Sequence, residues 1–269
     1  MKRRNMLASS LAASALAGLS SLPGAAQSEG KMEKNGREYY ELLRFQLRNG
    51  AQPEMLHRAW REGFVPALNR CGIETVGVFS GMVGPRNPSV YVLIPYPSVE
   101  SIASVKARLA ADDELQKAAA DYINTPSSSP AYERVEAWLM EAFEGMPRLA
   151  IPAEKKTNQK RIFELRTYES HSMKAHETKV KMFDTGEIAI FRHNGLRPVF
   201  FGSTWFGCNL PNLTYMLVYA DMAEHDKVWA SFIGDPAWKK LSQTPGFRDA
   251  EIVSNISNQY LTPTPYSQI

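Results

Sequence analysis

Glu164, Arg166 and Tyr168 place an acid, a guanidinium and a phenol at alternate positions of one short run. In an extended strand successive side chains point to opposite faces, so these three share a face and Phe163, Leu165 and Thr167 share the other. If the apolar set meets covering helices, the polar set looks into the space between two sheets. There Arg166 would clamp a carboxylate or enolate, with Tyr168 as donor. The competing reading is an internal Glu164–Arg166 ion pair with Tyr168 filling the core, since buried charges are commonly paired for reasons of burial alone. Trp205 and Tyr219 are candidate walls of such a cavity, although a packed core uses the same aromatic types. The five histidines are His57, His171, His176, His193 and His225. His171 and His176 are five apart and do not share a helical face, so no metal site is expected. His193 precedes Asn194-Gly195 at the end of a helical run, where its cation would favour the helix C-terminus. As a general acid or base it would need a partner such as Glu164 within reach. There is no Gly-rich phosphate loop, nucleophile elbow, paired-cysteine motif or haem-attachment motif, and no cofactor is expected.

The elements that must position these residues occur twice. At an offset of 123 positions, Glu41 aligns with Glu164, Leu42 with Leu165, Gly72 with Gly195, Val76 with Val199, Gly84 with Gly207, Pro88 with Pro211, Tyr96 with Tyr219 and Asp112 with Asp235, without a gap. Matches scattered over both halves at one fixed offset mark a duplicated unit. In the first copy the pattern predicts a strand over 37–48, a helix from Gln52 to Arg70 that Pro66 should kink or end early, and strands over 73–83 and 89–96. The last two are joined by Gly84-Pro85-Arg86-Asn87-Pro88; a helix capped by Ser98, a short helix near Asp112 and a strand over 132–139 follow. The second copy predicts strands over 161–169, 196–206, 212–220 and 250–260 with helices over 173–193, 222–232 and 235–241. Strand, helix, strand, strand, helix, strand is the ferredoxin-like βαββαβ unit, whose sheet is covered by helices on one face only. Burying two bare faces against each other removes apolar surface at about 25 cal/mol per Å². The expected fold class is therefore α+β, two tandem ferredoxin-like units packed sheet to sheet as a two-sheet sandwich or barrel. They run over 37–144 and 160–263, with a polar, breaker-rich linker at 145–159.

The first residues, Met1-Lys2-Arg3-Arg4-Asn5-Met6-Leu7, lead into an Ala/Ser-rich apolar stretch and small residues up to Ala26. That is the pattern of an export signal over 1–26, either the twin-arginine type or an ordinary secretory signal, so a periplasmic or secreted location is expected. Without the signal's Lys2, Arg3 and Arg4, the 31 basic residues fall into balance with the 28 acidic ones. No basic cluster remains to follow a phosphate backbone, which argues against nucleic acid as a partner. No later apolar run is long enough to span a bilayer. Cys71 and Cys208 occupy non-equivalent places in the repeats; isolated thiols are the default, a bridge the alternative.

Phe163-Glu164-Leu165-Arg166-Thr167-Tyr168 at the head of a repeat, Asn194-Gly195 about 30 residues on, and then Leu217-Val218-Tyr219 resemble the NIPSNAP family of the dimeric α/β-barrel superfamily. The resemblance covers nearly all of the chain after the signal and implies a pseudo-dimeric α/β barrel. It does not fix a reaction: the superfamily includes monooxygenases, dehydratases and members without known chemistry. The first copy departs from the string, reading Tyr40-Glu41-Leu42-Leu43-Arg44-Phe45, so only Glu41 of the polar trio survives there. The expectation is a barrel that holds a small, partly apolar organic ligand between its sheets, with monooxygenase- or isomerase-like chemistry left open. Glu164, Arg166, Tyr168, His193, Trp205, Tyr219 and Glu41 are the candidate contacts. The alternative is a non-catalytic interaction or scaffold protein with a packed barrel, and either form is compatible with a homo-oligomer.

Overall fold

The computed structural model describes residues 36–84 and 87–269; the signal expected at 1–26, and Pro85 and Arg86 of the first repeat's loop, lie outside the described residues. The first half supplies β1 (Tyr39–Gln46), β2 (Gly77–Gly81), β3 (Ser89–Tyr96) and β4 (Arg134–Ala142). The second supplies β5 (Ile162–Glu169), β6 (Arg197–Phe206), β7 (Asn212–Tyr219) and β8 (Asn255–Pro263). The order β1-β3-β2-β8-β5-β7-β6-β4 closes on itself through antiparallel pairing of β4 with β1. Each half is thus a four-stranded sheet, and the halves join along their edges, β2 to β8 and β4 to β6. Edge-to-edge closure turns the two bare sheet faces into the inside of a barrel and leaves no open strand edge. At the β4–β6 seam Ala142 pairs with Gly202, where an added Cβ would come within 2.7 Å of Met140 Cβ. A residue without a side chain lets the two halves close there.

The interior joins side chains of both halves. Tyr40, Leu42, Phe79, Leu93 and Met140 pack with Phe163, Leu165, Phe200, Met216 and Val218. Across the interface the Phe79 and Phe163 rings lie 4.8 Å apart and the Tyr40 and Phe200 rings 5.0 Å apart. One end of the barrel is filled by Ile269, whose backbone oxygen accepts from Arg161 at 2.7 Å while Gln268 N–H donates to Val76 at 2.9 Å.

Helices cover the outer faces. The first helix of each half is continuous, over 51–70 and 173–193, and each contains one widened π-helical turn, Ala59–Phe64 and Phe183–Glu187. Pro66 therefore does not end its helix, contrary to the sequence expectation. Its missing N–H falls just where the wide turn gives way to α-helical spacing, so the hydrogen-bond ladder is already shifting register. Both helices stop at a glycine in the left-handed region, Gly72 at φ 88° and Gly195 at φ 83°. The segment 145–159 passes between the halves and carries the short helix Ala153–Thr157.

Candidate functional site

Glu164, Arg166 and Tyr168 share a face of β5, as alternation requires, but it is the face beneath the helices. Phe163 and Leu165 lie in the barrel interior, whereas Tyr168 packs with Phe183, Phe191 and Tyr215 in the helix layer of the second half. The expectation that the trio looks between the sheets is corrected. The middle of the interior collects the apolar faces of both halves, Leu42, Leu93, Phe163 and Leu165 among them. The helix Met222–Gly234 instead brings its own polar groups, His225 and Trp229, down onto the outer face.

Those groups complete a closed network. The Glu164 carboxylate, fully buried, accepts from Arg166 at 2.6 Å, Asn258 at 3.1 Å, Tyr219 at 2.9 Å and Trp229 at 3.2 Å. Arg166 also donates to the hydroxyls of Tyr215 (2.8 Å) and Tyr168 (3.1 Å), which bond each other at 2.9 Å, and its guanidinium lies 4.6 Å from the Trp229 ring centroid. His225 sits at the edge, Nε2 3.1 Å from the Tyr260 hydroxyl and Nδ1 2.8 Å from Asp226. Burial works against the Arg166 charge, but Tyr215, Tyr168 and Glu164 outweigh it and hold the guanidinium pKa above its ordinary value. Each polar group of the trio has partners inside the cluster, so the network fastens a helix to the sheet.

A second buried pair adjoins it. Lys179 on the helix over 173–193 reaches Glu187 and Asp249, each at 3.1 Å, and its ammonium lies 5.4 Å from the Tyr168 ring centroid. Glu187 stands at the end of the widened turn, and burial pushes its carboxyl up to about 7 despite Lys179 beside it.

The remaining sequence candidates are dispersed. Tyr219 joins Glu164 as described. Glu41 repeats that contact in its own half, accepting from Tyr96 at 2.9 Å and from Lys106 at 2.8 Å, and does not join the second-half cluster. His193 is exposed in the last turn of its helix, so the acid–base role weighed for it lacks its partner Glu164, whose carboxylate is taken up by other groups. Trp205 is 40% exposed, edge-on to Tyr39, and lies outside the Glu164 cluster. Cys71 and Cys208 are both free thiols. Among the described residues no three His, Cys, Asp or Glu side chains converge as a metal-ligand set.

Space for a ligand lies elsewhere, at the end of the barrel opposite Ile269. A cavity of about 420 Å³ is lined by Leu42, Arg44, Tyr91 and Trp138 from the first half and by Leu165, Thr167 and Thr214 from the second. Arg44 is ion-paired with Glu136, and its guanidinium lies 5.5 Å from the Trp138 ring centroid. Thr167 and Thr214 share a hydrogen bond of 2.8 Å across β5 and β7. Leu42 and Leu165 close the floor. Sequence reasoning missed Arg44, Glu136 and Trp138, yet period two marked them: Arg44 follows Tyr40 and Leu42 on one face of β1, and Glu136 and Trp138 alternate on β4. It also passed over His225 and Trp229, four apart and so on one helical face.

The NIPSNAP family model matches residues 40–126 and 163–268, one segment in each half. This chain belongs to the NIPSNAP family. Among solved structures, this NIPSNAP chain is similar to a protein from Fusobacterium nucleatum provisionally named a monooxygenase, with TM-score 0.56 and 8% identity over 85% of this chain and 93% of that one. It is also similar to an anthrone oxidase-like protein, with TM-score 0.51 and 9% identity over 86% and 92% of the two chains. A NIPSNAP-like domain protein from Burkholderia xenovorans is 21% identical over 40% of this chain and 88% of its own, at TM-score 0.36. At such identities the likeness speaks to the fold alone. No curated protein matches the chain.

Proposed function

We propose that this NIPSNAP protein binds a small, partly apolar organic molecule in the cavity at the open end of its barrel. The observation that carries the reading is the cavity itself: both halves build it, its size is within the range of small-ligand sites, and a polar rim stands over an apolar floor. Trp138 and Tyr91 supply flat walls, and Arg44 supplies the cation to which a ligand carboxylate or enolate would turn. If the bound molecule is converted by isomerase- or monooxygenase-like chemistry, Glu136 is the carboxylate on that wall that would accept its proton. With the signal at 1–26 the protein would meet this ligand outside the cytoplasm; a mature N-terminus following Ala26 in exported material supports that, and an intact Met1 contradicts it.

The second reading, a non-catalytic interaction protein, is favoured by the self-contained Glu164–Arg166 network and by the filled opposite end of the barrel. Mass spectrometry of small molecules released from protein purified from its native host separates the two. Wild type should release a molecule that Arg44→Leu protein lacks. Recovery of the same molecule from both takes Arg44 out of the binding site, and recovery of none from either favours the packed scaffold.

A further inference from the structure

A second recess lies on the outside of the barrel, where β4 and β6 meet the start of the helix over 173–193. It encloses about 800 Å³. Four large apolar side chains line it and remain exposed: Met173 at 63%, Trp205 at 40%, Phe206 at 67% and Leu210 at 46%. A contiguous apolar patch left open in this way marks a binding surface more often than an accident of packing. His176 lies in the same wall at 4% exposure, with Nε2 2.7 Å from the Ser203 hydroxyl. Its Nδ1 is buried and has no hydrogen-bond partner among the described residues. A buried nitrogen without a partner is costly, and with the proton on Nε2 donated to Ser203, Nδ1 is left as an unpaired acceptor in the wall behind the recess.

The charge around the recess selects among ligands. Glu144 and Glu177 line it, both exposed, and neither makes an ion pair among the described residues. Glu141 is already paired with Arg37 at 2.6 Å, and Asp184 accepts from Gly145 N–H at 2.9 Å. Lys181 is the opposing cation on the rim. The balance is negative beside aromatic rings, which suits a positive group over an apolar body.

We propose that this recess binds an organic ammonium ion with a flat aromatic or hydrocarbon body, the body lying on Trp205, Phe206 and Leu210 and the N–H group turned to Glu177. The site is separate from the barrel cavity and stands whether or not that cavity holds a ligand.

Calorimetric titration of the full chain with 1-naphthylmethylammonium and with 1-naphthoate, which share a ring system and differ in charge, tests it. The ammonium probe should bind about tenfold or more tightly than the carboxylate, in line with one favourable charge and ring contact. Trp205→Ala and Phe206→Ser, both at exposed positions, should each weaken the ammonium probe, Glu177→Gln should narrow the preference for it, and Arg44→Leu should leave it unchanged. Equal affinity for the two probes, or no measurable binding of the ammonium, overturns the proposal. So does loss of ammonium binding in Arg44→Leu with retention in Trp205→Ala, which would put the probe in the barrel.

Discussion

Arg166 is the residue on which the two readings of the second half part. Its guanidinium neutralises a carboxylate that is fully buried, so Arg166→Leu leaves the buried Glu164 charge without its guanidinium partner. Breaking a buried pair from one side costs about 3–5 kcal/mol, whereas removing both charges costs much less. Denaturant titration should therefore show a large loss for Arg166→Leu and a substantial recovery for the Glu164→Gln/Arg166→Leu double variant. Leucine already stands at the equivalent Leu43, where Lys106 takes over as the partner of Glu41. Glu187 makes a pH-dependent prediction. A carboxyl whose folded pKa lies above its unfolded value stabilises the fold while protonated. Here that contribution is complete below about 4.5 and is lost as pH rises through about 7. Wild type should lose stability over that interval, and thermal unfolding of Glu187→Gln across the same range should give a flatter profile; identical profiles would remove Glu187 as the cause.

Among the elements, β5 and β7 explain why the sequence revealed so much and still reversed a face. Alternation says which residues share a side, and it grouped Glu164, Arg166 and Tyr168 correctly. It does not say which side meets which layer. Every residue of β7 is buried, so neither of its faces carries the polar mark of solvent. The rule that helices cover the more apolar face then misled, because the helix over Met222–Gly234 carries His225 and Trp229 downward. Arg44, by contrast, was legible but lay in the copy that had lost the Arg-and-Tyr string. The loop element at Gly207 tests the cavity wall. Its φ is +152°, and an added Cβ would collide with the Trp138 indole. Gly207→Ala should destabilise by about 1–3 kcal/mol through that backbone strain and overpacking, and it should displace Trp138, visible as a change in tryptophan fluorescence.

At the scale of the whole molecule, the offset of 123 positions foretold the architecture because a duplicated half-covered sheet has a bare face to bury. What it left unsaid was that burial would come by joining edges, with β2 against β8 and β4 against β6, so the ligand space opens at one end of the barrel. Neither half can satisfy those edges alone. Residues 37–144 expressed by themselves should self-associate, pairing β2 and β4 with a second copy as the second half does in the intact chain. A monodisperse, folded monomer in sedimentation would contradict the account of closure.

The most direct measurement is the affinity of the molecule recovered from native protein for three forms of the chain. Wild type and the Glu164→Gln/Arg166→Leu double variant should bind it alike, while Arg44→Leu should bind it about tenfold or more weakly, the scale of one lost charge-assisted contact. Unchanged binding in Arg44→Leu with loss in the double variant would place the ligand under the helices of the second half, and the barrel-end site would be wrong.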